Sequence, residues 1–218
     1  MNIKELFDLS KSAAADLLAK CRYPEDALPQ LASFIEALGD RLDRDMYIEM
    51  SKGIWVAKNA IIAPSAEISA PCIIGEEAEI RHCAFLRGAV LVGNGCVVGN
   101  SSEVKNSILF DRVQVPHFNY VGDSILGFCA HFGAGAVTSN VKSDKSEIYV
   151  IYEGERKNSG RRKLGAFVGD FAEIGCGAVL CPGTVIGKNS TVYPLSLVRG
   201  TVPSKSIFKN DTSITKKY

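Results

Sequence analysis

The run from Glu103 to Asn140 collects side chains able to move a proton and hold an anion. Glu103 supplies a carboxylate, Lys105 a cation, His117 an imidazole, Tyr120 a phenol and Asn140 an amide. Between them lies the turn Gly133-Ala134-Gly135, whose main-chain N–H groups suit an oxyanion. An imidazole titrates near physiological pH, so His117 is the residue of this set best fitted to general-base work. Only three histidines are present, His82, His117 and His131, separated by 35 and 14 residues. A three-histidine zinc site of the gamma-class carbonic anhydrase kind needs two of them close in sequence, and this spacing does not supply that, so no metal site is expected. A second charged group, Arg156, Lys157, Arg161, Arg162 and Lys163, reads either as a solvated loop or as an arm contacting a substrate or cofactor phosphate.

What must position these residues is a six-residue repeat. An aliphatic or aromatic side chain recurs at Val56, Ile62, Ile68, Ile74, Ile80, Leu86, Val92, Val98, Val104 and Phe110. Small residues such as Ala60, Cys72, Ala78 and Cys96 precede most of them by two positions, and Gly often follows. The frame slips after Pro116, resumes at Leu126 and Phe132, and runs again from Val168 to Val198. Six matches neither a helix nor an alternating strand. It fits a solenoid of short strands and tight corners whose repeats must stack to bury their apolar residue.

The 218 residues carry a net charge of +1, which gives no global pull towards nucleic acid or an anionic membrane surface. No apolar run approaches the roughly 20 residues of a membrane span, and residues 1–11 carry charge without an apolar core, unlike a secretory signal. Seven cysteines, an odd number without a Cys-x-x-Cys pair, read as reduced thiols of a cytoplasmic protein. Residues 1–50 read as an N-terminal helical cap over the open first coil, with partner binding as the alternative role. One helix runs through Leu6, Leu9, Ala13, Leu17 and Leu18, Pro24 breaks it, and a second runs from Leu28 to Leu38, closed by Gly39. Asp43–Met50 reads as a short third. Residues 51–203 form the solenoid with an insertion at 139–166 that holds a strand candidate, Glu147–Tyr152. Residues 204–218 read as a polar tail.

At these residues the chain resembles the left-handed β-helix acetyltransferases of the hexapeptide-repeat superfamily. Within it, the chain is similar to the C-terminal half of the bifunctional enzyme that acetylates glucosamine-1-phosphate and then uridylates it. The motifs are Leu86-Arg87, Val98-Gly99-Asn100 with Glu103 and Lys105, His117-x-x-Tyr120-x-Gly122-Asp123, Gly133-Ala134-Gly135 with Asn140, and Ser159 to Phe167. They span about residues 54–203. The resemblance implies a mainly β fold, a left-handed parallel β-helix, assembled as a homotrimer with sites between subunits. It implies acetyl transfer from acetyl-CoA to the amine of an amino-sugar phosphate. His117 would be the general base and Glu103 would orient it. The backbone around Ala134 would stabilise the oxyanion. Arg87 and Lys105 would hold the phosphate, and Tyr120 and Asn140 the sugar and its amine. His131, Ala134 and Gly135 would lie along the acetyl-CoA. His131 stands where the bacterial enzymes usually have Asn, and no nucleotidyltransferase domain is expected. Nucleic acid and membrane are not expected partners. The competing readings are a non-catalytic β-helix used for assembly or sensing, and the zinc enzyme set aside above.

Overall fold

The computed structural model describes residues 1–152, 154–210 and 213–216. They form a left-handed parallel β-helix of about nine turns, with a short N-terminal helical segment laid against it. Each turn visits three faces. The first face runs through Ile61–Ile62, Glu79–Ile80, Val97–Asn100, Gln114–His117, His131–Phe132, Glu173–Ile174 and Thr191–Val192. The second and third faces are joined by Phe85–Val92 and Glu103–Leu109, long strands that bend through the corner between them. Inward residues stack in register, as Ile80, Val98 and Val115 do on the first face and Leu86, Val104 and Val121 on the second.

The register places the break in the repeat earlier than Pro116. Val92 pairs with Leu109, not Phe110, and Val98 then pairs with Val115. The short rungs are Val104 to Leu109 and Val121 to Leu126, each one residue under six, while Val115 to Val121 keeps all six. Both shortened corners lie between the second and third faces and turn on left-handed residues, Asn106 (φ 46°) and Asp123 (φ 50°). Phe110 is displaced from the rung. It is still fully buried, because its ring packs on that of Phe7 at 5.1 Å between centroids.

The faces differ in their outward residues. On the third face, Trp55, Ile73, Leu91, Ile108, Ile125, Phe167 and Val185 follow one another in register, and all are buried although alternation points them away from the solenoid axis. Their cover includes the N-terminal segment. The Leu6 carbonyl accepts the Asp170 N–H at 3.1 Å, the Lys11 carbonyl accepts that of Asp111 at 3.0 Å, and the helix Leu31–Gly39 sets Gly39 against the Trp55 indole. At about 1.5–3 kcal/mol for a fully buried large apolar side chain, this row is a major share of the core.

The segment therefore lies along the flank of the solenoid rather than over its open first coil. It is also less helical than its pattern suggests. Leu6 to Leu18 divides into Ile3–Leu6, a 3-10 turn at Leu9–Lys11, and Ala15–Leu18. Asn2 caps the first piece and Asp8 the second, so each starts its own short run. The expected third helix is a strand, Tyr47–Ser51, antiparallel to Ile54–Ala57, and it covers that sheet's first edge. The tail is structured as well: Ser206–Asn210 pairs with Thr191–Val192 and with Ser213–Lys216.

The insertion is a β-hairpin, Ile148–Tyr152 with Glu155–Arg161, rather than a solvated loop. Ile148, Val150 and Tyr152 are buried. The Thr201 hydroxyl donates to the Ile151 carbonyl, the Tyr152 ring stacks on Tyr23 at 4.8 Å, and the Tyr152 hydroxyl donates to Glu25 Oε2 at 2.6 Å. Lys157 pairs with Glu25 Oε1 at 3.0 Å. No helix among the described residues is long and apolar enough to cross a membrane.

Candidate active site

Strand alternation sets which motif residues share a surface. On the second face Phe85, Glu103, Tyr120 and Val137 lie side by side, with Arg87, Lys105 and Gly122 forming the next outward row. Arg87 Nε donates to Glu103 Oε1 at 2.7 Å. Lys105 Nζ donates to both oxygens of Asp123, at 3.1 and 3.0 Å. Asn106 Nδ2 reaches Asp123 Oδ1 at 2.8 Å, and Asn140 Nδ2 reaches Asp123 Oδ2 at 2.5 Å and the Tyr120 hydroxyl at 3.1 Å. Burial first, and then the Glu103 and Asp123 carboxylates, push the Tyr120 phenol above its ordinary value, so it remains a protonated donor.

Asp123 is thus the hub of the cluster, and it is absent from the set picked out by residue type. It is 3 % exposed. The signal for it was a lone Asp after Gly122 in a rung one residue short. That missing residue draws the Asn106 and Asp123 corners together.

His117 stands on a different corner, between the first and second faces. It is exposed, its N–H donates to Asn119 Oδ1 at 3.0 Å, and its carbonyl accepts from Gly135 at 3.0 Å. The next residue, Phe118, belongs to a column of left-handed corners that runs from Cys83 and Ser101 through Gly135 and Gly177 to Leu195. Above it, Gly99 lies so close to the Pro116 carbonyl that no side chain fits there. One turn along, the Ala134 N–H has no hydrogen-bond partner among the described residues, whereas the Gly135 N–H is spent on His117.

The expected pairing of Glu103 with His117 is not formed within the chain: Glu103 is bound to Arg87, which sits two residues along on the neighbouring strand and points to the same side. The two expected phosphate holders are each already matched by a carboxylate. His131 lies apart on the first face, with Nδ1 2.8 Å from Glu173 Oε2. His82 meets Ser65 Oγ through Nδ1 at 2.7 Å. The basic residues of the insertion do not form one patch. Arg156 stacks over Tyr149 at 3.9 Å, Lys157 lies over Tyr23 at 3.5 Å, and Arg161 is half-buried at the end of the hairpin.

Residues 68–149 match the family model described as the GMPPB C-terminal domain. A bifunctional sugar-1-phosphate nucleotidylyltransferase/acetyltransferase of Sulfurisphaera tokodaii is 36% identical over 126 residues, 58% of this chain and 31% of that protein. The likeness is to the hexapeptide-repeat acetyltransferases. A bifunctional GlmU protein of Methanococcus maripaludis is 33% identical over 172 residues, 78% of this chain and 42% of the relative. The chain thus spans about a third of the length of the curated relatives it matches. Among solved structures, PerB from Caulobacter crescentus in complex with CoA and GDP-perosamine is 19% identical, with 76% of this chain and 57% of that chain covered and a TM-score of 0.37.

Proposed function

We propose that this chain transfers an acetyl group from acetyl-CoA to the amine of an amino-sugar phosphate. The observation that carries the reading is the arrangement of two neighbouring corners. One presents an exposed imidazole beside an unspent main-chain donor. The other presents a cluster of hydroxyl, amide and cationic groups around one buried carboxylate. His117 takes the proton the amine loses as it attacks the thioester carbonyl. The Ala134 N–H stabilises the oxyanion that forms, Gly135 holds the His117 backbone, and collapse of the oxyanion breaks the C–S bond and releases coenzyme A as its thiol with the proton held on His117. Tyr120 and Asn140 position the sugar and its amine, and Arg87 and Lys105 face its phosphate. His131 and the Ala134-Gly135 turn lie along the acetyl-CoA. The named acetyltransferase activity of the Sulfurisphaera tokodaii relative supports this reading. With Glu103 bound to Arg87, the group that orients His117 comes from outside its own chain, which favours a homotrimer with sites between subunits. Phe118 and Leu195, 60% and 84% exposed on the His117 corner, are the apolar surface a second copy would cover. The same reading makes it a cytoplasmic enzyme with its cysteines reduced.

The deciding experiment is a thiol-release assay with acetyl-CoA across amino sugars and their phosphates, alongside light scattering. Turnover on an amino-sugar phosphate by a trimer is expected. Full activity of a stable monomer would remove the shared-site reading. The self-paired Arg87–Glu103 and Lys105–Asp123 groups favour a second reading, a binding module whose polar face is structural. Failure to bind acetyl-CoA in calorimetry would decide for it.

A further inference from the structure

The inside of the His117 corner is occupied by an amide. Asn119 is 3 % exposed, and each of its polar groups is matched. Its Oδ1 accepts the His117 N–H at 3.0 Å. Its Nδ2 donates to the Gly133 carbonyl at 2.8 Å and to the Ala136 carbonyl at 3.0 Å. Its N–H donates to Ser102 Oγ at 3.1 Å, and its carbonyl accepts the Glu103 N–H at 2.8 Å. One residue thus ties three successive coils, at Glu103, at His117 and at the turn from Gly133 to Ala136. The amide can take only this orientation, because a flipped group would set its oxygen against two carbonyls.

The neighbouring coils show what this amide replaces. Strand register puts Ala84, Ser102, Ala136 and Ala178 at the same corner. Each closes it with a main-chain turn, its N–H donating to the carbonyl three residues back, that of Arg81, Gly99, Gly133 or Gly175. In the His117 coil the Asn119 N–H is drawn away to Ser102 Oγ, and the side chain closes the corner from inside by holding the His117 N–H. Backbone pairing alone stacks strands about 4.8 Å apart. Asn119 adds a brace across that gap. One end fixes the backbone that carries the imidazole, and the other fixes both ends of the turn that presents the Ala134 N–H. A misplacement of about 1 Å can slow a reaction about a hundredfold, so this brace bears on chemistry as well as on folding.

We propose that Asn119 is a positioning residue that sets the separation and orientation of the His117 imidazole and the Ala134 main-chain donor. Buried beneath the corner, it acts through those two groups and not on the substrate. The assignment rests on the acetyl-transfer reading above, in which His117 takes the proton of the amine and the Ala134 N–H meets the oxyanion.

The test uses Asn119→Ala and Asn119→Ser in two independent arms. Neighbouring coils carry Ala136 and Ser102 at this corner, so the solenoid accommodates both residues. Ser190→Ala is the control for lost stability alone. It removes a buried hydroxyl that donates to the Pro203 carbonyl at 2.7 Å and accepts the Ser206 N–H at 3.2 Å, near the C-terminal end of the solenoid. In the first arm, amide hydrogen exchange of the full chain is read by NMR. The His117 and Gly135 N–H groups should exchange about tenfold faster in the Asn119 variants and at the unsubstituted rate in Ser190→Ala. In the second arm, kcat and KM are measured with acetyl-CoA and the best amino-sugar phosphate found. In the Asn119 variants kcat should fall about tenfold to a hundredfold with both KM values within about threefold, and Ser190→Ala should keep kcat within about twofold. Unchanged exchange at His117 and Gly135 overturns the brace. Wild-type kcat in the Asn119 variants, a loss carried by KM, or an equal loss in Ser190→Ala overturns the positioning role and leaves Asn119 a residue of the fold. Absence of turnover on every amino sugar by the unsubstituted protein sinks the acetyl-transfer reading and the catalytic assignment with it, and the exchange arm then judges the brace alone.

Discussion

The second and third faces of the solenoid are built on the same inward ladder, yet their outward rows have opposite characters. On the third face the outward row is Ile73, Leu91, Ile108, Ile125 and Phe167, all buried. On the second it is Phe85, Glu103, Tyr120 and Val137, all half-buried, with Arg87 and Lys105 beside them. Two buried aspartates repeat the contrast. Asp170, 2 % exposed under the third-face cover, accepts main-chain N–H groups from Asp8 at 2.8 Å and Phe128 at 2.9 Å, with Lys188 at 2.8 Å. Among the described residues, the Asp123 carboxylate accepts only from side chains, those of Lys105, Asn106 and Asn140. A carboxylate spent on backbone ties segments together. One that gathers side chains fixes their geometry for something else.

That contrast can be broken by experiment. The largest expected effect is at His117. His117→Ala should lower kcat about 10²–10⁴-fold with little change in acetyl-CoA affinity, because the base meets the amine. Wild-type turnover in this variant would mean that the corner is scaffold. Next comes the third face, where Leu91→Ala should cost about 2–5 kcal/mol in denaturant unfolding. Val97→Ala, outward and half-buried on the first face, should cost about 0.5–1 kcal/mol. Equal losses would erase the distinction between covered and open faces.

The aspartates sharpen it further. Asp170→Asn should lower stability by about 1–3 kcal/mol while kcat/KM of the folded protein stays within about twofold. Asp123→Asn should lower kcat/KM about tenfold to a hundredfold by releasing Lys105, Asn106 and Asn140 from their positions. A modest effect belongs to the clasp between cover and hairpin. Tyr152→Phe removes the donor to Glu25 Oε2 and should cost about 1 kcal/mol in thermal unfolding.

Much of this was legible beforehand. A stacked solenoid follows from the period of six, because inward residues at that spacing have nowhere else to be buried. Residue type alone singled out His117 and the polar set from Glu103 to Asn140, and the family resemblance added Arg87. The misreadings share a cause. Phe110 fits the six-residue frame by side-chain character, and only strand register shows that Leu109 holds the rung. Asp43–Met50 carries a helix-like mix of residues, but its Tyr47–Ser51 part finds an unpaired strand edge, and the tertiary offer of hydrogen bonds overrides local preference. The paired apolar residues Ile73-Ile74, Leu91-Val92 and Ile108-Leu109 mark a face buried on both sides.

By itself, then, the sequence determined the repeat, the inward ladder and the identity of most polar residues that could do chemistry, since each of these depends on spacing and side-chain type along one strand. Only the tertiary structure decided that Glu103 belongs to Arg87, that Asp123 gathers the cluster, and that the inserted hairpin is anchored on Glu25. Those partners lie 16 to 18 residues apart in neighbouring coils, or more than a hundred apart across the hairpin and its cover. Which of them meet depends on the length of each corner, and one residue fewer at Asn106 and Asp123 changes the answer.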